Sequence, residues 1–430
     1  MMHPKHRAAL SRRRFLAQSG FLTAVLAGWP GPCFGKDRLS VAAAFDREVE
    51  AFMAERKVPG GALAVVRDRK LVHARGYGWG DRERQEPVIP GALFRIASIS
   101  KPFTSAAIFK LIEGGRLQLE TPVFDLLQIE PFLEKNAKPD PRLRTVTIRQ
   151  CLQHTGGWDR AISSDPMFQS QKIARALDVP SPARQADIIR YVFGRPLNFD
   201  PGTRYAYSNF GYCVLGRVIE KVSGLSYEQY VRRELLKPMG IGSMRLGASL
   251  EHLRAAGEVK YYTPRNRKGR SVFAGSPGRV PVPYGTFCLE AMDSHGGWLA
   301  SAIDLARFAA ALDAPPAENC LRDESRRALY APPPAPVSRE TGGSLAAHYY
   351  ACGWGVRPVG REGKANYWHA GSLPGTYTLL VRRWDGLSWA VLFNQRSEDN
   401  KTPDGAIDAA LHRAADAVAE WPDQDLFVTR

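Results

Sequence analysis

Apolar positions recur at helical spacing behind Ser40. Val41, Phe45, Val49, Phe52 and Met53 predict a helix with Ser40 as its cap and Pro59-Gly60-Gly61 as its stop. Ala62 to Arg67 and Leu71 to Gly76, joined by a polar turn at Asp68-Arg69, predict a β-hairpin. A loop with Gly78 and Gly80 follows. Then a short apolar run (Leu93, Phe94, Ile96, Ala97) leads into a helical pattern at Ala106, Ile108, Phe109, Leu111 and Ile112, closed by Gly114-Gly115. The middle, roughly 101–289, reads as helices and long loops. Helices are predicted over 147–153 behind Thr147, from Phe210 to Val222 and from Tyr227 to Leu236. Ser163 to Pro182 reads as a loop or insertion, and 264–286 as irregular, because Gly, Pro and polar or basic residues dominate them. Past about 290 a helix is predicted from Ala302 to Leu312, then a loop-rich stretch over 313–345. Strands are predicted at Gly353 to Val356, Thr376 to Val381 and Trp389 to Phe393, with Asp385-Gly386 as the turn between the last two. A helix from Ala406 to Ala419 closes the chain. Strand-rich ends therefore bracket a helical middle, an α/β (α+β) pattern without an internal repeat. The implied division is a sheet domain from 36–100 and 290–430, with a mostly helical domain at 101–289.

Composition agrees with a globular protein: 44% of residues are apolar and 24% charged. The first 35 residues stand apart. They contain no acid, and Ser11-Arg12-Arg13-Arg14-Phe15-Leu16 leads into an apolar run from Phe21 to Trp29. This reads as an export leader with the look of a twin-arginine signal, which predicts a periplasmic or extracellular protein. An uncleaved anchor is the alternative. No later stretch is apolar enough to span a bilayer. The six cysteines lack paired spacing, and neither a disulfide framework nor a zinc site is indicated. The formal charge of +16 includes five basic residues of the leader. No dense Lys/Arg stripe or recognised module accompanies it, so no nucleic-acid partner is expected.

Candidate chemistry begins at Ser98-Ile99-Ser100-Lys101, where serine and lysine lie three apart at the start of a helix and share one face. A free lysine has a pKa of about 10.4 and is no base at neutral pH. Burial and a helix N-terminus both lower it, and then it can take the serine proton. The motif alone is met equally by a surface pair on an amphipathic helix. Tyr207-Ser208-Asn209 follows Pro201-Gly202 and precedes the helix at Phe210. A tyrosine beside a lysine can be ionised or can relay a proton. An asparagine amide can hold a substrate carbonyl and the lysine together. A packed turn tyrosine with a capping asparagine is the plainer reading. His369-Ala370-Gly371-Ser372 precedes the last strand pair. Two other His-x-Gly triplets exist, at His154 and His295, so the pattern is weak alone. A glycine entering an edge strand there lets a substrate approach the backbone, with the Ser372 amide facing that of Ser98.

Taken in order, Ser98-x-x-Lys101, Tyr207-x-Asn209 and His369-x-Gly371 resemble the serine β-lactamase and penicillin-binding-protein family, in its class C and DD-peptidase-like branch. FRIASISKPFTS, TVTIRQCLQHTGGW, PGTRYAYSNFGYCVLG and GGWLASAIDLARF resemble flanking segments of that family. The resemblance implies an antiparallel sheet flanked by helices with an inserted helical domain, and a cleft between them. It implies an acyl-enzyme on Ser98, proton handling by Lys101 and Tyr207, orientation by Asn209, and an oxyanion held by the amides of Ser98 and Ser372. Two departures argue against strong β-lactamase activity. His369 stands where many members carry lysine, and residues 154–158 read HTGGW rather than HTSGL. The expected function is an exported serine hydrolase acting on an ester or amide (a β-lactam, a D-amino-acid peptide or an ester). The expected partner is a small-molecule or peptide substrate, including cell-wall fragments, with no metal or organic cofactor. A non-catalytic envelope-binding or sensor protein on the same fold is the alternative. Neither Gly-x-Ser-x-Gly nor His-Glu-x-x-His occurs, which ranks α/β-hydrolases and zinc peptidases low.

Overall fold

Both ends of the chain meet in one antiparallel sheet. The computed structural model describes residues 39–276, 278–315, 320–360, 363–398 and 403–428. The leader expected over 1–35 lies outside the described residues. In chain order the strands are β1 (Gly60–Arg67), β2 (Lys70–Asp81), β3 (Glu86–Pro87), β4 (Phe94–Arg95), β5 (Arg245–Leu246), β6 (Lys268–Arg270) and β7 (Arg279–Pro281). They continue with β8 (Trp298–Ala300), β9 (Tyr349–Tyr350), β10 (Gly355–Val359), β11 (Lys364–Leu373), β12 (Thr376–Arg382) and β13 (Leu387–Phe393). The main sheet has eight strands in the order β3-β2-β1-β13-β12-β11-β10-β9. A three-stranded sheet, β4-β8-β5, lies at the entry to the serine helix.

Side-chain alternation explains how the sheet is buried on both faces. Leu63 and Val65 of β1, Leu379 and Val381 of β12, and Trp389 and Val391 of β13 share one core with Phe45 and Val49 of the helix Val41–Arg56 and with Leu411 of the helix Ala406–Ala417. The residues between them, Ala62, Ala64, Leu380, Ala390 and Leu392, face a second core with the helices Ser100–Glu113 and Ala302–Leu312. Ser40 caps the first helix, accepting from the Ala43 N–H. Asp68 and Arg69 both take positive φ (47° and 69°), which suits the tight hairpin between β1 and β2. Thr147 caps the helix Ile148–Leu152 in a reciprocal capping box with Gln150.

The structure corrects four local expectations. Ser163 to Pro182 is not simply a loop, since it carries the helix Ser170–Leu177, whose Ile173 and Ala174 reach the core. Residues 264–286 contain the short pair β6 and β7. The stretch 313–345 contains the helix Asp323–Tyr330. β11 has no clear strand signature because Asn366, His369 and Gly371 interrupt it. Its ladders to β10 and β12 form it instead, an example of tertiary pairing overriding propensity. Among the described residues, no helix is long and apolar enough to cross a membrane.

Candidate active site

The nucleophile segment is pinned from two sides, by β12 and β8. Thr376 and Thr378 of β12 donate to the Arg95 and Ile96 carbonyls at 3.0 and 2.9 Å. The Ile96 N–H donates to the Trp298 carbonyl of β8 at 3.0 Å. Ala97 is then held at φ 48°, a left-handed conformation that costs a non-glycine residue roughly 1–2 kcal/mol. Ser98 follows in a single 3-10 turn, Ala97–Ile99, which runs directly into the helix Ser100–Glu113. That helix passes through the interior, with Phe103 stacked on Phe308 at 4.0 Å, so Lys101 on its first turn is fully buried.

Lys101 Nζ lies 3.0 Å from Ser98 Oγ, 2.8 Å from Asn209 Oδ1 and 3.0 Å from the His295 carbonyl oxygen. Burial holds its pKa well below the ordinary lysine value, and Arg160 pushes the same way while Asp165 opposes. A neutral amine has two N–H bonds and one lone pair. Asn209 and His295 can take the two hydrogens, which leaves the lone pair for the Ser98 hydroxyl proton. Tyr207 Oη donates to Ser98 Oγ from the other side at 2.9 Å. Burial raises the Tyr207 pKa, so the phenol is neutral. Of the two expectations for Tyr207, burial opposes ionisation and leaves the proton relay. Ser208 caps the helix Asn209–Ser223 and sets both flanking side chains.

Asn209 lines the cavity with its Oδ1 accepting from Lys101, as expected, and its amide nitrogen, which carries two hydrogens, donates one of them to Asp165 Oδ2 at 2.7 Å. Asp165 is a site residue the sequence did not disclose, because it lies in the segment read as a loop and acts 44 positions before Asn209. The two weaker His-x-Gly matches also border the site. His295 contributes its carbonyl to Lys101, and the His154 ring lies 4.4 Å from that of Tyr207 while its Nδ1 accepts from the Ser208 N–H.

The third element lies where β11 runs past β10. The register of that pair ends at Gly355 opposite Trp368, so His369 to Leu373 have β12 on one side and the cavity on the other. His369 is buried, and that burial pushes its pKa down to about 3. Its Nδ1 lies 2.8 Å from the Ala370 carbonyl oxygen, which can only accept. The proton is therefore on Nδ1, and Nε2 accepts from the Tyr350 hydroxyl at 2.9 Å. The ring is neutral and both nitrogens are engaged. Tyr350 was not singled out by sequence; only its meeting with β11 makes it visible.

Gly371 is needed for a different reason than expected. A Cβ there would lie 2.1 Å from the Ile96 carbonyl oxygen and 2.3 Å from Thr378 Oγ1. The close approach is that of the nucleophile segment, rather than of a substrate. Gly371→Ala is expected to destabilise the fold by about 1–3 kcal/mol, the usual range for overpacking. A urea midpoint unchanged from wild type would contradict this.

Ser98, Tyr207, Asn209, His369 and Ser372 all line one cavity of about 430 Å³, and Lys101 lies beneath its floor. Tyr205, Tyr350, Trp368 and Phe168 give it an aromatic wall, and Arg160 and Arg396 bring charge. Ser372 Oγ accepts from Arg396 at 3.1 Å. Among the described residues there is no cluster of three or more His, Cys, Asp or Glu side chains suited to a metal.

The architecture is thus an α/β fold in which a serine, a buried lysine and a tyrosine meet beside strand β11 of the antiparallel sheet. The family model described as Beta-lactamase matches residues 45–414, and the chain belongs to the beta-lactamase family. Protein flp of Staphylococcus aureus (strain N315) is 30% identical over 194 residues, which covers 45% of this chain and 36% of that protein. The match thus spans little more than a third of the length of that curated relative. The octameric penicillin-binding protein homologue from Pyrococcus abyssi has the same fold at TM-score 0.63, with 24% identity over 86% of this chain and 77% of that one. D-amino acid amidase from Ochrobactrum anthropi SV3 has it at TM-score 0.65, with 19% identity over 88% of this chain and 98% of that one.

Proposed function

We propose that this protein is a serine hydrolase that cleaves an ester or amide through an acyl-enzyme on Ser98. One observation carries the reading: a fully buried lysine, its pKa held low by burial, lies 3.0 Å from a serine hydroxyl that borders a cavity. A protein that only binds has no physical need for a desolvated amine there, since burying it costs stability. Lys101 takes the Ser98 proton as Oγ bonds to the substrate carbonyl carbon. The neutral Tyr207 phenol stabilises the developing alkoxide and passes a proton to the leaving alcohol or amine, and Lys101 returns the proton it took. Water then attacks the acyl ester with the same groups reversed, restoring Ser98. The placement of Ser98 and Ser372 on one cavity supports their amides as the oxyanion donors.

The fold shared with the amidase above supports an amide, or the chemically related ester, as the bond cleaved. The acid-free, arginine-rich segment ahead of residue 36 supports export. Intact-mass measurement after exposure to a penicillin, a D-Ala-D-Ala peptide and a short-chain 4-nitrophenyl ester tests the proposal. The expected result is an acyl adduct with at least one of them, mapped to Ser98 by peptide digestion and absent in Ser98→Ala. Adducts mapping elsewhere, or neither adduct nor turnover with any of the three, would overturn it.

A further inference from the structure

The His369 ring is neutral, so the third element brings no charge to the cavity. The cavity is not without positive charge, however. Its lining includes Arg160 and Arg396 and, among the described residues, neither aspartate nor glutamate. The two arginines differ. Arg396 is engaged by Glu398, with Nε and a terminal nitrogen at 3.0 and 3.3 Å from the two carboxylate oxygens, and it also donates to Ser372 Oγ. Arg160 is exposed and takes part in no ion pair among the described residues. The acids near it in sequence are engaged elsewhere: Asp159 holds Arg204 at 2.8 Å, and Asp165 holds Asn209. The Arg160 guanidinium lies over the Tyr207 ring, 4.8 Å from its centroid. It therefore sits against the face of the same phenol whose hydroxyl touches Ser98.

We propose that Arg160 is a specificity-determining residue that binds a carboxylate on the substrate, so that this hydrolase prefers ester or amide substrates bearing a free carboxylate on the Tyr207 side of the scissile bond. The inference rests on the hydrolase reading above. A guanidinium stacked on an aromatic ring keeps its N–H edge free for a planar carboxylate, which it meets with two parallel hydrogen bonds. The aromatic wall of Tyr205, Tyr350 and Trp368 lowers the local dielectric and strengthens that attraction. The positive charge in the cavity that is not matched by an ion pair therefore lies on the side of Tyr207 rather than beside β11.

The test compares (4-acetoxyphenyl)acetic acid and 3-(4-acetoxyphenyl)propanoic acid, whose carboxylate is carried by the leaving phenol, with their neutral methyl esters. The quantity read is the ratio of kcat/KM for the acid over that for its methyl ester, which cancels any effect of Arg160 on Lys101. In wild type the ratio is expected to exceed one and to fall as salt is raised. In Arg160→Gln it should drop about ten- to a hundredfold, the range for a hydrogen bond to a charged group. Arg160→Lys should recover part of it. A ratio unchanged in Arg160→Gln, or one that collapses in Arg396→Gln instead, would overturn the assignment to Arg160. Both outcomes keep turnover and the Ser98 adduct. If all esters go unhydrolysed and Ser98 stays unlabelled, the failure is that of the hydrolase reading itself.

Discussion

Lys101→Met and Ser98→Ala are each expected to lower kcat/KM by at least about a thousandfold, with the double variant no worse than either single one. Residues that act as a unit lose the whole step when one is removed, so their effects do not add. The Ser98 hydroxyl has an amine lone pair on one side and a phenol on the other, and among the described residues no second base touches it. A double variant much weaker than both single ones would show that the two residues act independently. The same lysine should also leave a signature in stability. Burial keeps it neutral in the fold, whereas in the unfolded chain it is protonated below about 10.4. The folded state then binds fewer protons, so stability rises with pH across the window from the lowered folded pKa up to about 10.4. The difference in unfolding free energy, wild type minus Lys101→Met, should therefore grow by roughly 1.4 kcal/mol per pH unit between about pH 8 and 10. Urea titrations at several pH values measure that slope. A flat difference would mean that Lys101 is charged in the fold and unfit as the base.

Tyr207→Phe is expected to cost about 10²–10⁴-fold in kcat, the usual contribution of a positioned proton donor or acceptor. The ring is retained, so its contacts with His154 at 4.4 Å and with the Arg160 guanidinium should survive, and KM should change less than kcat. Because burial raises the phenol pKa, no ionisation of Tyr207 should enter the activity profile near neutral pH. The rising limb of wild-type activity should come from deprotonation of Lys101 and should persist in Tyr207→Phe. Loss of that limb in the variant would transfer the titration to the tyrosine.

The legible part of the site consists of residues whose roles are local. Ser98 and Lys101 lie three apart at a helix start, and Tyr207 and Asn209 flank the serine that caps the next helix. The helix Val41–Arg56 and the central strands could be read for the same reason, since periodicity and capping are properties of neighbouring residues. β11 was harder. Its polar and glycine positions are tolerated because hydrogen-bonded neighbours flank it, and sequence spacing carries no record of them.

The candidate residues Ser98, Lys101, Tyr207, Asn209, His369 and Ser372, and their order, were legible in the chain itself. That burial pushes the amine's pKa down, that Tyr350 hydrogen-bonds His369 Nε2, that Asp165 accepts from the Asn209 amide and that Arg160 lies over Tyr207 were decided only when separate segments met. The physical reason is that protonation and hydrogen-bond partnership depend on desolvation and on distances of a few ångströms, and segments 19 to 109 positions apart set both here.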